Sequence, residues 1–143
     1  LRQYRRGQRE SAAGVARGKM EKPLHDVVIH HSGSGHFAIR KGQWKLLLCR
    51  GSGGWSPPRE AEAAKQNLPM LQLYDLASDA KEAKNLQAKY PDKVKELAAD
   101  LAKAFRNGRT TPGPRQQNEG WPYTVPKPVL QKLPQLADPK IKS

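Results

Sequence analysis

The chain has 143 residues, 36% of them hydrophobic and 6% aromatic, which suits one small domain with polar segments attached. No apolar run approaches the roughly 18–20 residues that span a bilayer, and the opening Leu1-Arg2-Gln3-Tyr4-Arg5-Arg6 lacks the apolar stretch of a signal peptide. A single cysteine, Cys49, excludes an internal disulfide framework and a multi-cysteine zinc site, while 26 Lys+Arg against 13 Asp+Glu, formally +13, turns attention to polyanionic partners.

Residues 1–22 show neither helical nor strand periodicity. Gly7, Gly14 and Gly18 among scattered arginines read as an irregular basic arm; over residues 1–19, Arg2, Arg5, Arg6, Arg9, Arg17 and Lys19 face Glu10 alone. Patterning begins at Pro23. Asp26-Val27-Val28-Ile29-His30-His31 is a β-branched run and predicts a strand. His36–Arg40 and Gln43–Leu48 flank Lys41-Gly42 and predict a two-stranded hairpin. Phe37 and Ile39 alternate to one face of it, as do Trp44, Leu46 and Leu48.

The segment Arg50 to Pro58 is too rich in Gly, Ser and Pro for regular structure, and Arg59 to Pro69 reads as an extended surface excursion. Met70 to Leu76 predicts a further strand returning to the hairpin, and Ser78 to Leu86 a turn running into a short helical stretch. The clearest element is a helix over 91–106. Pro91 suits a first helical turn, and Val94, Leu97, Ala98, Leu101 and Phe105 make one apolar stripe before Asn107-Gly108 stops it. Seven of the twelve prolines fall in 109–143, which predicts an extended Pro-rich tail, either free or draped over a partner. The expected fold is α+β: an antiparallel sheet of about four strands on one long C-terminal helix, in a domain spanning 23–108. The sheet face away from the helix is left without a cover.

His25, His30, His31 and His36 invite a metal or acid–base reading. Neighbours in a strand point to opposite faces, so His30 and His31 cannot readily share one ion. The plain reading is one histidine packed and one exposed; the functional alternative for His30, His31 and His36 is hydrogen-bond donation to an anionic ligand, because His30-His31-Ser32-Gly33 ends a strand in a polar glycine loop. Gly33-Ser34-Gly35 precedes a strand instead of opening a helix, so the geometry of a dinucleotide loop is missing. Cys49 closes the apolar run Leu46-Leu47-Leu48 and reads as a small buried hydrophobe. No catalytic constellation is complete.

Two stretches carry a family resemblance. His30-His31-Ser32-Gly33-Ser34-Gly35-His36-Phe37-Ala38-Ile39-Arg40-Lys41-Gly42-Gln43-Trp44-Lys45-Leu46 resembles the hairpin "FAIR-x-G-x-W-K-L" of formylglycine-dependent sulfatases of the arylsulfatase A-like bacterial type. Leu73-Tyr74-Asp75-Leu76-Ala77-Ser78-Asp79-Ala80-Lys81-Glu82-Ala83-Lys84-Asn85-Leu86 is similar to their "LYDL-x-x-D-P-x-E-x-x-N-L", with Ala80 where a proline is usual. Gly108 to Pro114 resembles the closing segment of these enzymes, so the likeness runs over about 20–115. The resemblance implies a C-terminal subdomain, a small antiparallel sheet with a helix, packed on a larger N-terminal catalytic domain.

It also implies a parent enzyme, periplasmic or secreted, that hydrolyses sulfate esters with calcium and a formylglycine made within Cys-x-Pro-x-Arg or Ser-x-Pro-x-Arg. Here Gly51 and Gly53 stand where that motif needs Pro and Arg after Cys49, so Cys49 is not that nucleophile, and the calcium ligands are expected upstream. The fragment alone is expected to hold no cofactor and to hydrolyse nothing. His30, His31 and His36 become candidates for the rim of the substrate pocket. The basic arm does not resemble what precedes this region in sulfatases. Codons exist for Gly7 to Arg17 that spell Asp-Ser-Glu-Ser-Leu-Leu-Pro-Ala-Leu-Arg one base later, which suggests out-of-frame translation of the arm. The rival reading is a free-standing basic module that binds nucleic acid through arm and tail. Few aromatics, no nucleic-acid motif, and lysines interleaved with acids over 81–106 weigh against it.

Overall fold

The computed structural model describes residues 26–117 and 125–137. The arm expected over 1–22 therefore lies outside the described residues, as does His25. Four strands make one antiparallel sheet in sequence order: β1 (Val27–His31), β2 (Phe37–Lys41), β3 (Trp44–Leu47) and β4 (Gln72–Asp75). The strand read at 26–31, the hairpin and the returning strand are all present; β1 starts one residue later, β2 is shifted by one so that it takes in Lys41, and β3 and β4 are trimmed at both ends.

The register fixes what each face carries. Ile29 lies opposite Ile39, Ile39 opposite Leu46, and Leu46 opposite Leu73, so one apolar row crosses all four strands. Side chains in a strand alternate, so this row lies on the face that Val27, Phe37, Trp44, Leu48 and Leu71 share. Against that face packs α2, Pro91–Asn107, reached after the short helix α1, Glu60–Lys65. Ile39, Leu46 and Leu73 meet Leu97, Ala98 and Leu101 in one fully buried cluster. Pro91 sits in the first turn with Asp92 beside it, where the helix N-terminus favours a negative charge. Gly108 ends the helix at φ 65°, and its N–H donates to the Ala104 carbonyl at 2.8 Å. That left-handed geometry is a cap that glycine adopts without strain.

Polar contacts fasten the helix to the hairpin. Lys41 Nζ at the end of β2 meets Asp100 Oδ2 at 2.8 Å and Glu96 Oε1 at 3.2 Å. Hydrogen bonds to those two carboxylates raise the Lys41 pKa, and bonds from Lys93 and Lys41 lower that of Glu96. The free edge of β4 is closed by the segment that follows it. Asn85 Oδ1 accepts the Leu73 N–H at 3.0 Å, Asn85 Nδ2 donates to the Leu71 carbonyl at 2.9 Å, and the Leu86 N–H donates to the Leu73 carbonyl at 2.7 Å.

Three expectations need correction. The excursion at 59–69 contains α1, started where the Arg59 N–H donates to Glu62 Oε2 at 2.9 Å. Residues 78–86 form successive turns and no helix: Asp79 accepts the Lys84 N–H at 2.8 Å, and Glu82 takes a positive φ of 55°, which breaks helical propagation. The described part of the tail is not simply extended. Residues 125–137 hold α3, Lys127–Lys132, and a 3-10 turn, Pro134–Leu136. Val125, Val129, Leu133 and Leu136 recur at helical spacing and join the buried cluster under α2. Two of the prolines that argued for extension sit at first-turn positions, Pro128 in α3 and Pro134 in the 3-10 turn, where a missing N–H costs nothing.

Leu136 has no exposed surface, so Leu136→Ala is expected to lower unfolding stability by about 2–5 kcal/mol in urea titration, as for other buried leucines. An unchanged midpoint would mean that the tail does not belong to the core.

Candidate functional site

The second face of the sheet follows from the same alternation. Residues one step out of phase with the apolar row point away from α2: Val28 and His30 of β1, Ala38 and Arg40 of β2, Lys45 and Leu47 of β3, Gln72 and Tyr74 of β4. This face carries a small cluster of its own, in which Leu47, Cys49 and Tyr74 are buried with Ala38 and Leu76 against them. Part of it is closed by the chain's own loop after β3, and part is open.

The closure is polar and specific. Tyr74 donates its hydroxyl to Gln72 Oε1 at 2.6 Å, and Gln72 Nε2 donates to the carbonyls of Cys49 at 2.8 Å and Gly51 at 2.7 Å. Glu60 of α1 accepts the N–H groups of Arg50 and Gly51 at 3.1 and 3.0 Å. A Cβ on Gly51 would stand 2.5 Å from the Pro58 carbonyl oxygen, so only glycine lets the two backbones pass this closely.

Beside that closure lies an open recess of about 240 Å³. It gathers His30, His31 and His36 with Lys45, Cys49 and Ser52. Each histidine is held differently. His30 pairs across from Ala38 and lies on the second face, exposed. His31, one residue on, belongs to the opposite face, where its ring meets Phe37 edge-on at 5.1 Å, and Phe37 meets Phe105 at 4.9 Å. His36 is placed by the turn. Ser32 Oγ accepts its N–H at 3.1 Å, the Ser32 N–H donates to its carbonyl at 2.9 Å, and Gly35 supplies φ +82°. The three candidates thus meet at one end of the β1–β2 hairpin, although His30 and His31 reach it from opposite faces.

Lys45 is the cation of the recess, and its Nζ is tied to Glu82 Oε1 at 2.5 Å. Cys49 is 1% exposed, and its thiol donates to the Gly51 carbonyl at 3.4 Å. Burial first, and then the charge of Glu60, push the thiol pKa up to about 11. Burial likewise raises the Tyr74 hydroxyl. Cys49 therefore sits in the wall as an apolar group, with Gly51 and Gly53 after it, and does not fit a formylglycine position. Among the described residues no group of three or more His, Cys, Asp or Glu is arranged to hold a metal ion. The arrangement offers hydrogen-bond donors to an anion: imidazoles, the Ser52 hydroxyl and the Lys45 ammonium.

Lys45, Cys49 and Ser52 join the histidines without any motif that singles them out. The signal was present in the alternation, since Lys45, Leu47 and Cys49 keep the parity that places them beside Ala38 and His30. Nothing in the sequence marked the loop after β3 as folding back over that face.

Among the described residues no helix is long and apolar enough to cross a membrane. No family model matches the chain, and no curated protein matches it. Solved structures do. One is a Bacteroides thetaiotaomicron chain described under the metabolism of multiple glycosaminoglycans by a versatile core genetic locus, with a label ending in 6S-sulf. It is 26% identical over 55% of this chain, with a TM-score of 0.41, and this chain spans 16% of its length.

A thiol with a pKa near 11 has almost no thiolate at neutral pH, and the thiolate is the nucleophile. Iodoacetamide at pH 8 is expected to leave Cys49 unmodified in the native chain and to label it fully in urea. Rapid native labelling would place the thiol in solvent.

Proposed function

We propose that this chain is the C-terminal subdomain of a formylglycine-dependent sulfatase, which packs on a catalytic domain and forms part of the rim of its substrate pocket without performing chemistry itself. The observation that carries the reading is the coincidence of motif and recess. The stretch Phe37 to Leu46 builds β2, its turn and most of β3, and Leu73 to Leu86 builds β4 and the segment that closes its edge. Both motifs thus lie in one sheet, and the recess with His30, His31 and His36 opens at the hairpin end where the first of them begins.

In this reading the imidazoles, together with Lys45 and Ser52, donate hydrogen bonds to oxygens of a sulfated substrate. Bonds from a charged donor to an anion are shorter and about twice as strong as neutral ones. The tie to Glu82 holds the Lys45 ammonium in one place, so less side-chain freedom is lost when a ligand is bound. Attack at sulfur belongs to the catalytic domain, where calcium and formylglycine act in the enzymes that the two motifs resemble.

The purified chain with calcium is expected to show no turnover of an aryl sulfate. Added to a sulfatase catalytic domain that lacks its own C-terminal subdomain, it is expected to bind and raise turnover, and His30→Ala with His36→Ala is expected to raise KM more than it lowers kcat. Turnover by the chain alone, or absence of any association, would overturn the proposal.

A further inference from the structure

We infer that the free edge of β1 pairs with β1 of a second copy of this chain, joining two four-stranded sheets into one across a two-fold axis. This interaction is independent of any sulfatase relationship and rests on the hydrogen-bond parity of the strand. In an antiparallel ladder, mutually bonded pairs alternate with pairs whose N–H and C=O groups point to the outer sides. The Ser32 N–H donates to the His36 carbonyl at 2.9 Å, which identifies Ser32–His36 as a bonded pair. Counting back by twos, His30–Ala38 and Val28–Arg40 are the bonded pairs within β1 and β2. Val27, Ile29 and His31 therefore direct their backbone groups away from β2, to the edge of the sheet. Among the described residues no group satisfies them.

The two edges of this sheet differ. On β4, Asn85 and Leu86 occupy the outward positions of Leu71 and Leu73. On β1, the sequence Val-Val-Ile-His-His has no proline or lysine, and its register with β2 runs unbroken through all five residues with no bulge. These are the devices that normally protect an edge strand from pairing. Val28 is 43% exposed on the second face, an apolar side chain without cover.

A second copy fits this edge in one register above others. With Ile29 opposite Ile29 of the copy, Val27 falls opposite His31 and His31 opposite Val27, so each outward-facing residue meets another. Each such pair exchanges two bonds, about six in all. A shift by two residues would leave one of the three unmatched, and a shift by one would set outward groups against inward ones. In the centred register Val28 lies beside His30 of the copy on the second face, and Val27 and Ile29 extend the apolar row on the helix face across the axis. A symmetric, self-complementary patch of this kind closes at two subunits.

The test uses the 143-residue chain in sedimentation equilibrium and amide exchange from micromolar to millimolar concentration. The mass is expected to rise from 15.9 kDa to about twice that. The amides of Val27, Ile29 and His31 are expected to slow with concentration, while those of Val28 and His30 stay protected throughout. Two variants separate pairing from folding. His31→Pro removes an outward donor without removing a β1–β2 bond, and Val28→Lys sets like charges on either side of the axis. Both are expected to keep the native circular dichroism spectrum and to sediment as monomers. A native chain that stays monomeric at millimolar concentration would overturn the inference. So would a dimer that survives both variants, or edge amides protected equally at every concentration, which would place the edge partner within the chain itself.

Discussion

The structure depends on one row of side chains. Ile29, Ile39, Leu46 and Leu73 cross the sheet in register and meet Leu97 and Leu101 of α2. Burying a leucine or isoleucine is worth roughly 1.5–3 kcal/mol, so this row and its helix partners set the phase of every strand. A slip of one residue would turn the row toward solvent. Once the phase is fixed, the other face has no freedom left: it must present Val28, His30, Ala38, Lys45, Leu47 and Gln72. The recess follows from the core, which it meets at Phe37.

The second face shows how a small domain treats a surface it cannot cover with a helix. Toward β4, the loop after β3 folds back and is pinned by Gln72 and Glu60, each joining backbone groups of residues 49–51. Toward β1, no such strap exists among the described residues, and His30 and Val28 stand open. The burial of Cys49 is the consequence on the closed side: a potentially reactive thiol becomes part of the wall. In the proposed reading the open side faces an anionic substrate and a catalytic domain, with the Lys45 ammonium already matched by Glu82.

The strands, the hairpin and α2 were legible because their apolar residues keep periods of two and of about 3.6. The helix boundary at Gly108 was legible because a left-handed cap favours glycine. The helix at Glu60–Lys65 was hidden by its polar composition, with Ala63 as its one buried residue. The tail misled through its prolines, although Pro128 and Pro134 occupy first turns and Val125, Val129, Leu133 and Leu136 supply a helical apolar pattern too short to stand out. The three histidines were legible as a group by sequence proximity. Their neighbours Lys45, Cys49 and Ser52 were not, because a contact across a sheet face depends on register and on where a glycine-rich loop comes to rest.

The proposed role, a sheet that serves a catalytic half encoded beside it, is tested most directly by sequencing the DNA upstream of the codon for Leu1. That role requires this DNA, in the same frame or shifted by one base, to encode Cys-x-Pro-x-Arg or Ser-x-Pro-x-Arg within a sulfatase catalytic domain. An upstream region that encodes no such motif in any frame would contradict it.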